Sequence, residues 1–346
     1  MLTTKKETGI EKIPFDNIFS DINHYWFTQN IYDATSKLFR HIPHVSGLLF
    51  EQHENHNQPC DVSIRLSDTD HSTDYFINSI RHTPLIKSCV WQQLVHFFLS
   101  GKDTIEDYWL EFDAPDLEKS TPVPSVFISP KKRSSEINPA PLFLTLNNLP
   151  TERLPASSIR LVNNILSDFP LVKLHYLGLM LPRQEKSLRC CFQLPFIHLK
   201  SFINNHKIPL TDAQIEQATN IKLGKCVSDI VVSLDLADTV KPRIGIEYPV
   251  SNKQCLKPLY KILMDQESGI HDDYTHWSKD SPELKPALSQ GTVSTLPDTH
   301  KKLVYSRRIN HLKLVFEPGK APEIKTYLYL ALGWYNAYRE ASIVIK

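Results

Sequence analysis

The sequence predicts an α+β fold built around a closed barrel of ten antiparallel strands, made of five ββ units with helices on the outside. Five pairs of short segments alternate between apolar and polar residues around a turn, which is the periodicity of strands. Helical patterns, with apolar residues three and four positions apart, separate these pairs. A doubly wound parallel sheet would instead alternate single strands with single helices, so that fold is disfavoured.

The predicted strand pairs are, in chain order, 60–68 with 73–80, 107–114 with 124–130, 174–181 with 187–194, 229–236 with 243–250, and the two halves of 309–330. The last pair turns at residues 317–320, where Pro318 and Gly319 are typical of a tight turn. Ten such strands can close into a barrel wide enough to enclose a ligand. An open antiparallel sheet, or two sheets, is the alternative that the pattern leaves open.

The helical patterns cover residues 15–40, 84–102, 156–169, 196–206, 211–223 and 255–266. Thr211 and Gln214 have the spacing of a capping box at the start of one of them. We therefore divide the chain into an N-terminal helical segment, 1–54, and a barrel domain, 55–346. A polar stretch at 267–299, rich in Ser, Asp and Pro, is predicted to be a long excursion from the barrel domain.

Composition limits the partners and the compartment. The chain has 346 residues, 41% of them hydrophobic, which is enough for a substantial core. Lys and Arg total 39 against 38 for Asp and Glu, so no long-range field favours nucleic acid or an anionic membrane surface. Six cysteines without metal-type spacing indicate reduced thiols, and no leader or membrane-spanning run is evident. These features predict a cytoplasmic protein.

Charged residues alternate with the apolar positions of the predicted strands. If helices cover the outside of the barrel, the apolar faces meet the helices and the polar faces turn inward. The inner face then carries five cations and three acids, namely Arg65, Arg189, Arg243, Lys313 and Lys325 with Glu111, Asp235 and Glu247. Because an unpaired buried charge is costly, such a lumen is either a wet paired network or an anion site. In an open sheet the same residues would simply be solvated.

The strand pairs, together with the Lys-x-Tyr motif at Lys325-Thr326-Tyr327, resemble the aromatic prenyltransferases of the ABBA family over roughly residues 55–340. The family fold is a barrel of ten antiparallel strands with helices outside. The resemblance implies that Lys325 and Tyr327 hold the diphosphate of an allylic donor, and that Glu111 takes the acceptor's proton. It makes the other inner-face cations weaker candidates for the diphosphate, namely Arg65, Arg189, Arg243 and Lys313.

The family chemistry explains why these residue types are needed. Departure of a diphosphate develops negative charge, which several ammonium, guanidinium and hydroxyl donors can stabilise without a metal. We therefore expect no cofactor and no metal site, with Mg²⁺ allowed but not required. Aromatic walls shield the allylic cation from water, and Trp109, Tyr327 and Tyr329 are the candidates. The expected partners are an allylic diphosphate and an aromatic small molecule or peptide acceptor.

Two other functions stay open. A non-catalytic barrel or open sheet could bind a peptide or small ligand in a natural-product pathway. A metal-dependent enzyme could use Asp272, Asp273 and His276 of HDDYTHW, residues 271–277, which otherwise reads as a polar loop. No Gly-x-Gly-x-x-Gly, P-loop or Gly-x-Ser-x-Gly motif occurs, which argues against dinucleotide binding, P-loop phosphoryl transfer and an α/β-hydrolase site.

Overall fold

The computed structural model describes residues 25–42, 47–53, 59–67, 72–131, 139–149, 154–183, 187–219, 227–250, 285–286 and 301–336. The helices within these ranges are α1 (Tyr25–Phe39), α2 (Ser72–Ile80), α3 (Cys89–Gly101), α4 (Ala140–Leu146), α5 (Ala156–Asp168), α6 (Leu199–Asn205) and α7 (Asp212–Thr219). The strands are β1 (Gly47–His53), β2 (Asp61–Ser67), β3 (Ile105–Phe112), β4 (Ser125–Pro130), β5 (Lys173–Leu179), β6 (Leu188–Pro195), β7 (Asp229–Leu236), β8 (Val240–Pro249), β9 (Lys285–Pro286), β10 (Lys301–Phe316) and β11 (Glu323–Asn336).

Ten of the strands form a closed antiparallel barrel, as the sequence predicts. Strands β1 to β8 pair in chain order, β8 pairs with β10, and β11 pairs with both β10 and β1, which closes the ring. The short strand β9 adds to β10 and is not part of the ring. Closure leaves the barrel without a free edge, so every ring strand has two hydrogen-bonded neighbours.

The apolar strand faces lie under the helices. On β2, Val62, Ile64 and Leu66 are fully buried against this outer layer. On β3, the ring of Tyr108 makes edge-to-face contact with Phe98 of α3, at 5.1 Å between centroids. Since alternate residues of a strand point to opposite sides, the polar residues between these positions point into the barrel. The hydrophobic core is therefore a shell between barrel and helices, and the lumen is polar.

The first predicted strand pair is wrong. Residues 73–80 form helix α2. Strand β2 pairs instead with β3 and with β1, a strand within the stretch assigned to the N-terminal helical segment. Phe76, Ile77 and Ile80 are all buried, and three- and four-residue spacing puts them on one face of a helix. A strand would instead have turned Phe76 and Ile77 to opposite sides. The other four strand pairs form as predicted.

Several local predictions are also confirmed. The backbone N–H of Gln214 donates to Thr211 Oγ1 at 3.3 Å and the Thr211 N–H donates to Gln214 Oε1 at 3.0 Å, which makes the capping box of α7. Gly319 has φ 73° in the turn between β10 and β11. The predicted helix at 255–266, the metal-type loop at 271–277 and the polar excursion at 267–299, apart from β9, lie outside the described residues. No helix among the described residues is long and apolar enough to cross a membrane.

Candidate functional site

The barrel encloses a cavity of about 300 Å³. Seven of the nine residues predicted for the site line it, namely Trp109, Glu111, Arg189, Arg243, Lys313, Lys325 and Tyr327. Arg65 and Tyr329 do not reach the cavity wall. The wall also contains Glu51, Asp61, Arg183, His175, His311 and Glu247 beside apolar and small residues. The inward orientation that alternation predicted therefore gathers charges from many strands into one chamber.

Two inward-facing glycines make room for the lumen side chains. A Cβ on Gly245 would lie 2.4 Å from both Lys313 Cε and Ser233 Oγ. A Cβ on Gly178 would lie 2.5 Å from two ring atoms of Phe127. Side chains on neighbouring strands thus occupy the space that a Cβ at either position would need, so a larger residue there would displace them.

The Lys-x-Tyr motif contacts a residue that the sequence analysis missed. Glu51 on β1 lies opposite Tyr327 in the antiparallel register, and its carboxylate accepts hydrogen bonds from both Lys325 Nζ and the Tyr327 hydroxyl. Burial alone would raise the pKa of Glu51, but Lys325 and Lys313 together with these hydrogen bonds hold the pKa well below its usual range. Burial and the charge of Glu51 raise the pKa of Tyr327, so the phenol keeps its proton and remains a donor. The available signal was the alternation in LLFEQH, residues 48–53, which puts Glu51 on the polar side.

Lys313 forms a second buried pair. Its Nζ donates to Glu247 Oε1 at 2.9 Å, across a directly opposed position of β10 and β8. Burial disfavours the ammonium, yet the Glu247 carboxylate raises the pKa of Lys313 overall. Beside this pair, burial lowers the pKa of His311 to about 4 against the opposing charge of Glu247, so the imidazole is neutral. His311 stacks on the Tyr327 ring with centroids 4.0 Å apart.

Two predicted arginines are also held by carboxylates on adjacent strands. Arg189 on β6 makes a bidentate pair with Asp235 on β7, at 2.7 and 2.8 Å. Arg65 on β2 contacts Asp107 on β3 at 3.0 Å, and neither residue lines the cavity. Both arginines thus belong to cross-strand pairs, the arrangement that stabilises opposite charges on one face of a sheet.

Arg243 is the exception among the predicted cations. It lines the cavity, and no carboxylate lies within ion-pair distance of it in the part of the chain that the structure describes. Arg183, in the loop after β5, also lines the cavity and was not predicted. Its guanidinium contacts Asp113 at 3.0 Å and lies 3.9 Å from Glu111. Among the predicted cations of the described residues that line the cavity, Arg243 is therefore the one that an anion could contact without displacing a carboxylate, since Arg189, Lys313 and Lys325 are each paired.

Glu111 has the acidity of a group that exchanges protons near neutral pH. Burial and the nearby charge of Glu51 raise the pKa of Glu111 to about 7, against the opposing charges of Arg189 and Arg183. Its strand neighbours in the register are Ser63 and Ser125, whose short side chains leave space beside the carboxyl group. A carboxyl group with this pKa can accept a proton from a bound ligand at neutral pH.

An aromatic cluster lies beside the cavity, with Trp109 and Tyr327 in its wall and Tyr329 packed behind them. Trp109 and Tyr329 lie with ring centroids 6.2 Å apart and pack with Leu49. The Arg308 guanidinium lies 5.0 Å from the centre of the Tyr329 ring, and Lys313 Nζ lies 5.8 Å from that of Tyr327. These ring faces attract cations already present in the protein, so this side of the lumen could also stabilise a positively charged group of a ligand.

One group of side chains has the composition of a metal site. The ligand atoms of Glu51, His53 and Asp61 lie within 4.8 Å of one another at one end of the lumen. His53, however, contacts Glu323 at 2.7 Å and Asp61 at 3.4 Å. Burial would lower the pKa of His53, but these hydrogen bonds raise it to about 9, so the ring is a cation. With Lys325 on Glu51 as well, this group is neutralised by protonated side chains, and a divalent ion would have to displace them.

No protein-family model and no curated protein matches the sequence. Solved structures of aromatic prenyltransferases do match the fold. A 6-dimethylallyl tryptophan synthase superposes with a TM-score of 0.54 at 12% identity, covering 93% of this chain and 97% of that one. The 6-dimethylallyltryptophan synthase from Micromonospora olivasterospora, in complex with DMASPP and Trp, superposes with a TM-score of 0.51 at 13% identity. This match covers 91% of this chain and 96% of that one.

A third structure is prenyltransferase PriB in ternary complex with L-tryptophan and dimethylallyl thiolodiphosphate. It gives a TM-score of 0.51 at 12% identity and covers 90% of this chain and 92% of that one. At such identities the likeness is one of architecture, and it extends over nearly the whole length of both chains. The chain therefore has the fold of the ABBA aromatic prenyltransferases, from which its sequence is distant.

Proposed function

We propose that the protein is a transferase that moves a prenyl group from an allylic diphosphate to an aromatic or peptide acceptor inside the barrel. The observation that carries this proposal is the convergence of Arg189, Arg243, Lys313 and Lys325 on one cavity that Glu111 also lines. The similar structures support it, because two of them hold tryptophan together with DMASPP or dimethylallyl thiolodiphosphate.

In this proposal the cations and the Tyr327 hydroxyl bind the diphosphate and stabilise the charge that develops as it leaves. The closed lumen excludes water from the allylic cation, and the faces of Trp109 and Tyr327 stabilise it. Glu111 accepts the proton that the acceptor loses, since its pKa of about 7 leaves the carboxylate available at neutral pH. We propose that no cofactor is needed, with Mg²⁺ allowed as an accompanying ion.

A second function, non-catalytic binding of a peptide or small ligand, is favoured by the ion pairs. Lys325, Lys313 and Arg189 are each held by a carboxylate, respectively Glu51, Glu247 and Asp235. A lumen in which most charges are internally paired suits a neutral or zwitterionic ligand as well as an anion. The two functions differ in whether the lumen binds a diphosphate.

Thermal denaturation with geranyl diphosphate, inorganic pyrophosphate or buffer alone distinguishes these functions. A donor that binds only the folded lumen raises Tm, and at a given concentration a tighter-binding donor raises it further. We expect geranyl diphosphate to stabilise the wild type and Lys320→Ala, an exposed lysine in the β10–β11 turn, but to stabilise Lys325→Ala much less. Equal stabilisation of both variants, or none in the wild type, would remove the donor site from the proposal.

Turnover tests the role of Glu111 separately from donor binding. Glu111→Gln keeps the shape of the side chain but cannot accept a proton, so we expect turnover to fall by about 100-fold or more while geranyl diphosphate still binds. Glu106→Gln, on the same strand, is the matched control and should retain activity. Unchanged turnover in Glu111→Gln would exclude it as the proton acceptor. Activity that survives EDTA would support the absence of a metal requirement.

A further inference from the structure

Glu51 occupies the two groups that the Lys-x-Tyr motif offers to an anion. Its two carboxylate oxygens take one hydrogen bond each, Oε1 from Lys325 Nζ and Oε2 from the Tyr327 hydroxyl. A phosphate oxygen would seek the same ammonium and phenol donors, because carboxylate and phosphate oxygens are both acceptors of charge-assisted hydrogen bonds. Without a ligand, the Lys325 ammonium and the Tyr327 hydroxyl are thus already hydrogen-bonded to the Glu51 carboxylate.

The donors cannot serve both acceptors in full. A tyrosine hydroxyl has a single proton to donate, and that of Tyr327 is directed at Glu51. Lys325 has three N–H groups, but its ammonium also lies 3.6 Å from Glu323 Oε1. A diphosphate that binds Tyr327 must therefore take over the hydrogen bond that Glu51 now receives.

Charge adds to this competition. Glu51 is 8% exposed and is held ionised by the surrounding lysines, so water screens it poorly from a second anion in the lumen. An incoming diphosphate would both lose donors to Glu51 and be repelled by it. Removing the charge of Glu51 should relieve both effects.

We propose that Glu51 is a built-in competitor for the anionic donor, which must displace its carboxylate from Lys325 and Tyr327 to bind. Glu51 then lowers the affinity of the lumen for diphosphates, because part of the binding free energy is spent on displacing its carboxylate. This inference rests on the proposed function in one respect, since it assumes that an anion enters the lumen.

Calorimetric titration of inorganic pyrophosphate into the full-length protein tests the proposal. Glu51→Gln removes the charge and keeps the size, and we expect it to bind pyrophosphate at least about tenfold more tightly than the wild type, because a charge-assisted hydrogen bond is released. Asp107→Asn is the matched control. It also removes a buried carboxylate from a cationic partner, Arg65, but it does not free Lys325 or Tyr327. We expect its affinity to stay within about threefold of the wild type.

The outcomes separate this proposal from the proposed function. If the wild type binds pyrophosphate and Glu51→Gln binds it no more tightly, competition by Glu51 is refuted and the anion site stands. The same conclusion follows if Asp107→Asn gains as much affinity for pyrophosphate as Glu51→Gln. If neither the wild type nor Glu51→Gln binds pyrophosphate or geranyl diphosphate, both proposals fail. Should Glu51→Gln not fold, Glu51→Asp keeps the charge and draws the carboxylate back by one methylene. We then expect the affinity of Glu51→Asp for pyrophosphate to be a few-fold higher than that of the wild type, and an unchanged affinity would refute the competition.

Discussion

The acidity of Glu111 predicts an unusual dependence of stability on pH. The folded protein holds the proton of Glu111 up to about pH 7, whereas in the unfolded chain the carboxyl group has its ordinary pKa of 4.5. Between these values the folded state binds more protons than the unfolded state, so raising the pH destabilises the fold. A pKa difference of this size corresponds to about 3 kcal/mol of free energy of unfolding, lost as pH rises and fully lost above about pH 7.

The substitution Glu111→Gln removes this titration, because glutamine stays neutral at every pH. We therefore expect the stability of Glu111→Gln relative to the wild type to increase by about 2–3 kcal/mol between pH 5 and pH 8. The other titrating groups occur in both proteins, and their contributions cancel in this comparison. Urea unfolding followed by tryptophan fluorescence at the two pH values measures the difference.

Glu106→Gln, on the same strand β3, is the control and should show no such change with pH. If the two proteins differ by the same amount at pH 5 and pH 8, Glu111 is ionised at both. The reasoning that burial and the charge of Glu51 outweigh Arg189 and Arg183 would then be wrong, and Glu111 would lose its suitability as a proton acceptor near neutral pH.

Three further predictions concern two side chains of the lumen and the turn between β10 and β11. Gly178→Ala places a Cβ 2.5 Å from the Phe127 ring, and we expect it to lower stability by about 1–3 kcal/mol in thermal or urea unfolding. In Gly319→Ala the new Cβ would meet no atom within 4 Å, but the backbone there has φ 73°. We therefore expect only the backbone strain to lower the free energy of unfolding, by about 1 kcal/mol. A larger loss of stability than in Gly178→Ala would contradict the steric argument. Arg189→Met leaves the partly buried carboxylate of Asp235 without its bidentate partner, and we expect it to lower the free energy of unfolding by about 3–5 kcal/mol. A second change, Asp235→Leu, should recover most of this loss. If Arg189→Met alone is as stable as the wild type, the pair is not isolated from solvent.

The sequence by itself determined which face of each strand points inward. Alternation is a local property, because successive side chains of a strand lie on opposite sides whatever the strand pairs with. Hence Glu111, Arg189, Arg243, Lys313 and Lys325 were expected on the polar face, and they line the cavity. Four of the five strand pairs followed in the same way, since each needs only two alternating runs and a turn.

Helix and strand were harder to distinguish in short segments. Residues 73–80 were predicted as a strand, yet Phe76 and Ile77 are both buried, which only a helix face allows here. Strand β1, which takes the place predicted for residues 73–80 beside β2, is short and follows a helical stretch, so local alternation alone does not separate it from the N-terminal helical segment. Its identity depends on pairing with both β2 and β11, which lie 14 and more than 270 positions away along the chain.

Tertiary structure alone decided which charges meet. Glu51 reaches Lys325 and Tyr327 because closure of the barrel brings β1 beside β11, and Glu247 reaches Lys313 because the register of β8 and β10 sets them opposite each other. Register is a relation between distant segments, and a shift of two residues would keep every polar face inward while changing every partner. The sequence therefore determined that the lumen is charged, whereas the fold decided that most of its cations are already neutralised.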